Sequence, residues 1–170
     1  MKQFKTILFA TALFLGATTL STAQSKVAHI DSQALIGAMP ETKAAQAEIE
    51  KLEKTYQVAI EEMIAEYQNK LKRYDAEAAS QTDDENAKRM TEVETMQRSI
   101  REYQGQAQED LQKKQFDLLK PITEKVKAAI VKVAKAQGFD YVLESTPNNG
   151  IVIMADGKDL IADVKKELGI

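Results

Sequence analysis

The sequence predicts an α+β protein in which a small β-rich body carries one long antiparallel α-helical hairpin, a coiled-coil arm. Three observations predict it. The 64 residues from Glu41 to Gln104 contain neither Pro nor Gly, so no backbone breaker interrupts a helix there. Within them apolar residues recur every three or four positions, the spacing of one helix face. The short runs that read as strands lie only at the two ends, before Pro40 and after Gly138.

Composition narrows the classes further. The chain has 170 residues, 44% apolar and 29% charged, with no Cys, no Trp and one His. That length holds one or at most two small domains. Without Cys there is no disulfide scaffold, thiolate metal site, cysteine nucleophile or lipid-modified lipoprotein terminus. Seven Gly and three Pro are too few for a turn-rich sandwich or barrel.

Residues 1–23 carry the pattern of a cleavable export signal. Lys2 and Lys5 precede an apolar run from Ile7 to Leu15, and Ser21-Thr22-Ala23 supplies small residues at the −3 and −1 positions. The run is shorter than the ~20 residues a membrane span needs. Cleavage is therefore expected after Ala23, with the exported chain starting at Gln24. Loss of both lysines takes the net charge from −3 to −5. That balance gives no electrostatic reason to bind nucleic acid or an anionic membrane.

Lys26-Val27-Ala28-His29-Ile30-Asp31 alternates as a short strand. Ala34, Leu35, Ile36 and Met39 then suggest one or two helical turns, and Pro40 suits the first turn of the next helix. The outgoing helix places apolar residues at 49, 52, 56, 60, 63, 67, 71 and 74. Ile49/Ile60/Leu71 and Leu52/Met63/Tyr74 also read as eleven-residue repeats, close to the period of a straight helix. The rod breaks near Ala78–Thr82. Thr82 and Glu85 have capping-box spacing, and Asp83 and Asp84 suit the positive end of a new helix.

A second seam with the same eleven-residue period follows, Ile100/Leu111/Ile122/Val133 beside Met96/Ala107/Leu118/Ala129. Two such seams joined by a short polar turn make an antiparallel hairpin. Its outward arm reaches ~55 Å at 1.5 Å per residue. Pairs such as Glu66/Lys70, Glu85/Arg89, Glu94/Arg98, Glu109/Lys113 and Asp110/Lys114 are placed to support the helices at i,i+4. Pro121 removes one helical hydrogen bond and marks the base of the arm.

Gly138 ends the return helix. Phe139–Glu144 reads as a strand, Thr146–Gly150 as a turn and Ile151–Ala155 as a further strand, apolar on both faces. Asp159 is placed to cap a last helix that buries Leu160, Ile161, Val164 and Leu168 and stops at Gly169. The division is then 24–40 with 121–170 as the body and 41–120 as the arm. A body this small leaves two sheet edges and buries a modest share of its surface. It is expected to oligomerise, through Val27, Ile30, Phe139, Tyr141, Val142, Leu143, Ile151 and Ile153.

The Lys26–Asp31 strand, the charged two-helix arm and the closing run from Val126 to Leu168 resemble the Skp/OmpH family of periplasmic chaperones. Gly138-Phe139-Asp140-Tyr141-Val142-Leu143 and Asp159-Leu160-Ile161-Ala162-Asp163-Val164 are the specific part. The resemblance implies a jellyfish-like homotrimer: a β-rich body of intertwined subunits with helical arms around a cavity. It implies a holdase that shelters unfolded outer-membrane proteins in transit, without ATP. Arms in this family are often strongly basic, whereas Glu41–Lys120 here carries 13 basic and 18 acidic residues. Direct lipopolysaccharide or membrane binding by the arms is accordingly disfavoured.

No residues suggest catalysis, a metal or a cofactor. His29 is the only His and has no Cys to join it. Glu61 and Glu62 are neighbours in sequence and point to different parts of the helix. There is no phosphate-binding loop, nucleophile elbow or H-E-x-x-H motif. Client-contact candidates on the arm are Tyr56, Met63, Tyr67, Tyr74, Met90, Met96 and Tyr103, though packing within the hairpin is the stronger account of the tyrosines. The alternative function is an envelope spacer or adaptor whose coiled coil recognises one folded partner.

Overall fold

A computed structural model describes residues 25–148 and 152–170. The export-signal reading, and Ile151 of the body residues, lie outside that range. Strand β1 (Val27–Ile30) leads into the short helix α1 (Ser32–Ala38), the outgoing helix α2 (Pro40–Glu77) and a 3-10 turn at Ala78–Ser80. The return helix α3 (Asp83–Ala136), strands β2 (Tyr141–Glu144) and β3 (Lys158–Asp159) and helix α4 (Ile161–Leu168) complete the chain.

Each boundary has a local cause. The Asp31 side chain accepts a hydrogen bond from the Ala34 N–H at 2.8 Å and caps α1. Pro40 opens α2, where its missing N–H costs nothing. Thr82 caps α3 by accepting from the Glu85 N–H at 3.2 Å, with Asp83, Asp84 and Glu85 in the first turn. Gly138, at φ 72°, ends it, a left-handed conformation that glycine adopts without a Cβ penalty. Helix α3 is continuous for 54 residues with Pro121 inside it.

The sheet is parallel throughout, in the order β2-β1-β3. Val27 is in register with Tyr141, and His29 with both Leu143 and Asp159. The two ends of the chain therefore meet in one sheet, with the hairpin inserted between them. Ala28, Ile30, Leu35, Met39, Val126, Ala129, Val133, Leu160 and Val164 form the core. The largest fully buried side chains in it are Leu35, Met39, Val126, Leu160 and Val164. Ala45 belongs to the same cluster, with Leu118 and Leu119 packed against it, so the root of the hairpin is part of the core. Beyond the root only Ile100 and Ala107 are buried.

Four expectations are corrected. Residues 152–155 form no strand; Ile153 is fully exposed and Met154 nearly so, because within one chain nothing covers either face. The third strand is Lys158–Asp159 instead. Asp159 is in that strand, and Leu160 stands at the N-cap of α4, although Asp159 Oδ1 still accepts from the Ile161 N–H at 2.9 Å. Phe139 and Asp140 precede β2; Phe139 packs on the core, and Asp140 accepts from the Lys26 N–H. Finally, of the five i,i+4 pairs only Glu85–Arg89 makes an ion pair among the described residues. Lys70 and Lys114 instead pair across the hairpin with Glu92 and Glu48, where a facing helix offers a nearer partner than the next turn.

Candidate functional interfaces

Two surfaces stand out, one on the sheet and one on the arm. In the sheet, alternation sends Ala28, Ile30, Val142 and Glu144 toward the helices and Val27, His29, Tyr141 and Leu143 outward. Ile30 is buried, while Tyr141 is 60% exposed, Leu143 44% and Val27 42%. Val142 and Phe139 are half-buried beside the core. An outward apolar face of this kind, with exposed Ile153 in the same body, has the character of an interface. His29 sits on that face with Nδ1 3.0 Å from the Ser145 hydroxyl.

Beside the sheet, polar groups hold β2 to α1. Glu144 Oε1 accepts from the backbone N–H of Ser32 at 3.1 Å and of Thr146 at 3.0 Å. The Thr146 hydroxyl lies 2.6 Å from Glu144 and 2.8 Å from Asp31, and its one proton serves one of them at a time. Burial pushes the Glu144 carboxyl up, but the hydrogen bonds from Ser32 and Thr146 outweigh it and leave it below its ordinary value.

On the arm, α2 and α3 pack as the two seams require. Six of the seven client-contact candidates (Tyr56, Met63, Tyr67, Tyr74, Met96 and Tyr103) are half-buried at that seam, and only Met90, at 66%, is exposed. Tyr56 and Tyr103 meet edge to face at 5.8 Å, and the Tyr56 hydroxyl donates to Asp110 at 2.8 Å. That bond to a carboxylate raises the phenol above its ordinary value. The Tyr74 hydroxyl donates to Glu92, and the Arg89 guanidinium stacks on the Tyr74 ring at 4.6 Å.

Ion pairs join the helices along their length: Glu41–Lys125 and Glu48–Lys114 near the root, Lys70–Glu92 and Glu77–Arg89 near the tip. Each step outward on α2 is matched by a step back on α3, as an antiparallel register demands. Lys70, and to a lesser degree Tyr74, hold the Glu92 carboxyl below its usual range.

Sequence reasoning missed the arm's most exposed aromatic. Phe116 is 64% exposed on α3, off both seams, and only a search for apolar residues outside the seam spacing would have found it. Leu71, read as a seam residue, is 43% exposed. Among the described residues no three His, Cys, Asp or Glu are grouped to hold a metal ion. No helix among them is long and apolar enough to cross a membrane.

Comparison with known proteins agrees with this architecture. The crystal structure of a Caulobacter crescentus CB15 protein described as an OmpH-like outer membrane chaperone superposes with a TM-score of 0.74. The match covers 87% of this chain and 86% of that one at 16% sequence identity, a likeness of fold. No curated protein matches the sequence. A family model, outer membrane protein (OmpH-like), matches residues 26–168, which is the strand, the whole hairpin and the closing elements together. The chain belongs to the OmpH-like family.

Proposed function

We propose that this protein is a periplasmic holdase chaperone that assembles through its body and shelters unfolded outer-membrane proteins between its helical arms, without ATP. The observation that carries the proposal is the division of the molecule: a core confined to the body and hairpin root and an arm whose seam stays half-exposed. Family membership and the described function of the Caulobacter protein support it. The outward apolar face of Val27, Tyr141 and Leu143 supports assembly through the body, and a homotrimer fits the family resemblance. Residues 24–40 with 121–170 act as the assembly unit and 41–120 as the holding unit.

Holding needs no single pocket. Each contact between an arm and an exposed apolar strand contributes a fraction of the ~25 cal/mol per Å² obtained on full burial. Several arms around one client add such contacts at high effective concentration. The test is aggregation of a urea-unfolded outer-membrane barrel protein on dilution, with and without this chain, in the absence of nucleotide. Suppression at near-stoichiometric amounts is expected. Aggregation unchanged by the chaperone overturns the reading.

A further inference from the structure

The two edges of the hairpin are not alike. Relative to the seam residues Ile49, Tyr56 and Ile60, positions 48, 55, 66 and 70 of α2 fall on one flank and positions 46, 50, 53 and 57 on the other, at 100° per residue. All four ion pairs between α2 and α3 lie on the first edge, including Glu48–Lys114 and Lys70–Glu92. That edge is closed, its charges spent on each other.

The second edge is open. A groove of about 710 Å³ is lined by Gln57, Gln104 and Gln108. A second, of about 570 Å³ near the root, is lined by Gln46 and Gln115. Of these five glutamines only Gln57 has a side-chain hydrogen bond, to Glu61; the others make none to described residues. The carboxylates on this edge of α2, Glu50, Glu53 and Glu61, make no ion pair. Two of the arm's exposed large apolar side chains border it as well, Leu71 and Met90, at a groove near the tip.

Unpaired primary amides beside apolar grooves suit one kind of occupant. Each glutamine offers two donors and one acceptor group, matching the N–H and C=O groups that an unfolded backbone leaves free. The grooves between successive amides take side chains. We infer that the open, glutamine-lined edge of each arm is the surface that holds an extended segment of unfolded polypeptide, and that the closed edge makes no client contact. The inference rests on the holdase reading and names the side of the arm that does the holding.

The chain contains no Cys, so the full-length protein takes single photoreactive probes cleanly. Thr55 and Gln57 are both exposed and two residues apart, at the same distance from the root but on opposite edges. Benzophenone attached to Gln57→Cys should crosslink a urea-unfolded barrel protein at least fivefold more than benzophenone on Thr55→Cys. A second variant, Gln57→Lys with Gln108→Glu, places opposite charges across the open edge and should seal it. It should keep the parent's urea midpoint and bind the same client at least fivefold more weakly. Equal crosslinking from both edges, or full capture by a folded sealed variant, overturns the inference. Failure of the unlabelled parent to capture the client removes the holdase reading and the inference with it.

Discussion

Replacing Leu160 with Ala tests whether the arm borrows its stability from the root. Leu160 is fully buried between the sheet and the helices, and its N–H donates to the His29 carbonyl at 3.1 Å. Truncation removes three carbons from a site closed on all sides, which costs roughly 2.7–5 kcal/mol. Against a domain stability of about 5–15 kcal/mol, that is a large fraction. On the arm the corresponding change, Ile60→Ala, acts at a half-buried position and should cost about half as much. Only Ile100 and Ala107 are buried beyond the root, and two facing helices with so little between them gain little on their own. Urea unfolding of Leu160→Ala should therefore lower the midpoints of arm and body together. Circular dichroism at 222 nm reports the arm, hydrogen exchange of the β1–β2 amides reports the body, and fixed protein concentration holds the contribution of assembly constant. Arm helicity that outlasts the loss of sheet protection would show the hairpin to be self-supporting and refute the argument.

Ile153→Asp and Tyr141→Asp should dissociate the assembly and leave each subunit folded, because both side chains are exposed in the single chain and a carboxylate is costly only once a partner buries it; sedimentation velocity with far-UV dichroism separates the two effects. Deleting Ala47–Lys113 and joining the ends by a short turn should leave an assembled body that no longer suppresses client aggregation, since the Glu48–Lys114 ion pair shows that the stumps at Gln46 and Lys114 lie close across the hairpin; full protection by the deleted form counts against holding by the arms. The Glu144 carboxyl is lowered in the folded state, so its stabilisation is complete above the ordinary value of 4.5 and is lost as pH falls through the folded value. The difference in urea midpoint between the parent and Glu144→Gln should shrink below that pH, and a constant difference down to about pH 3 would contradict the assignment. With a net-acidic arm, capture should persist at ~0.5 M salt, where screening acts within a few ångströms; complete loss in salt would point to an electrostatic mechanism.

Local signals were read well where the chain itself supplies the partner. Thr82, Pro40 and Gly138 act within a few residues, and the structure places helix ends at all three. The seams were legible because α2 and α3 are long enough for their period to show. The segment at 152–155 was misread for the opposite reason: its apolar character is real, but Ile153 and Met154 find no cover within the chain. The two unlike edges were hidden too. Gln46 and Gln57 share a face with each other, and Glu48 with Lys70, but only a known register shows Lys114 opposite Glu48 and Gln108 in the groove with Gln57.

The parallel pairing of β1 carries a kinetic consequence. Val27 pairs with Tyr141, and Ala28 with Lys158, more than a hundred residues downstream. Helical turns and the hairpin close through contacts near in sequence, and such contacts form fast. A strand that must wait for partners at the far end of the chain forms late. Helical turns form first, but the arm is held only once the sheet and the hairpin root close, and the outward face of Val27, Tyr141 and Leu143 comes into being only with the sheet. On the proposed assembly through that face, a newly made chain would have no surface by which to find its copies until both of its ends are in place.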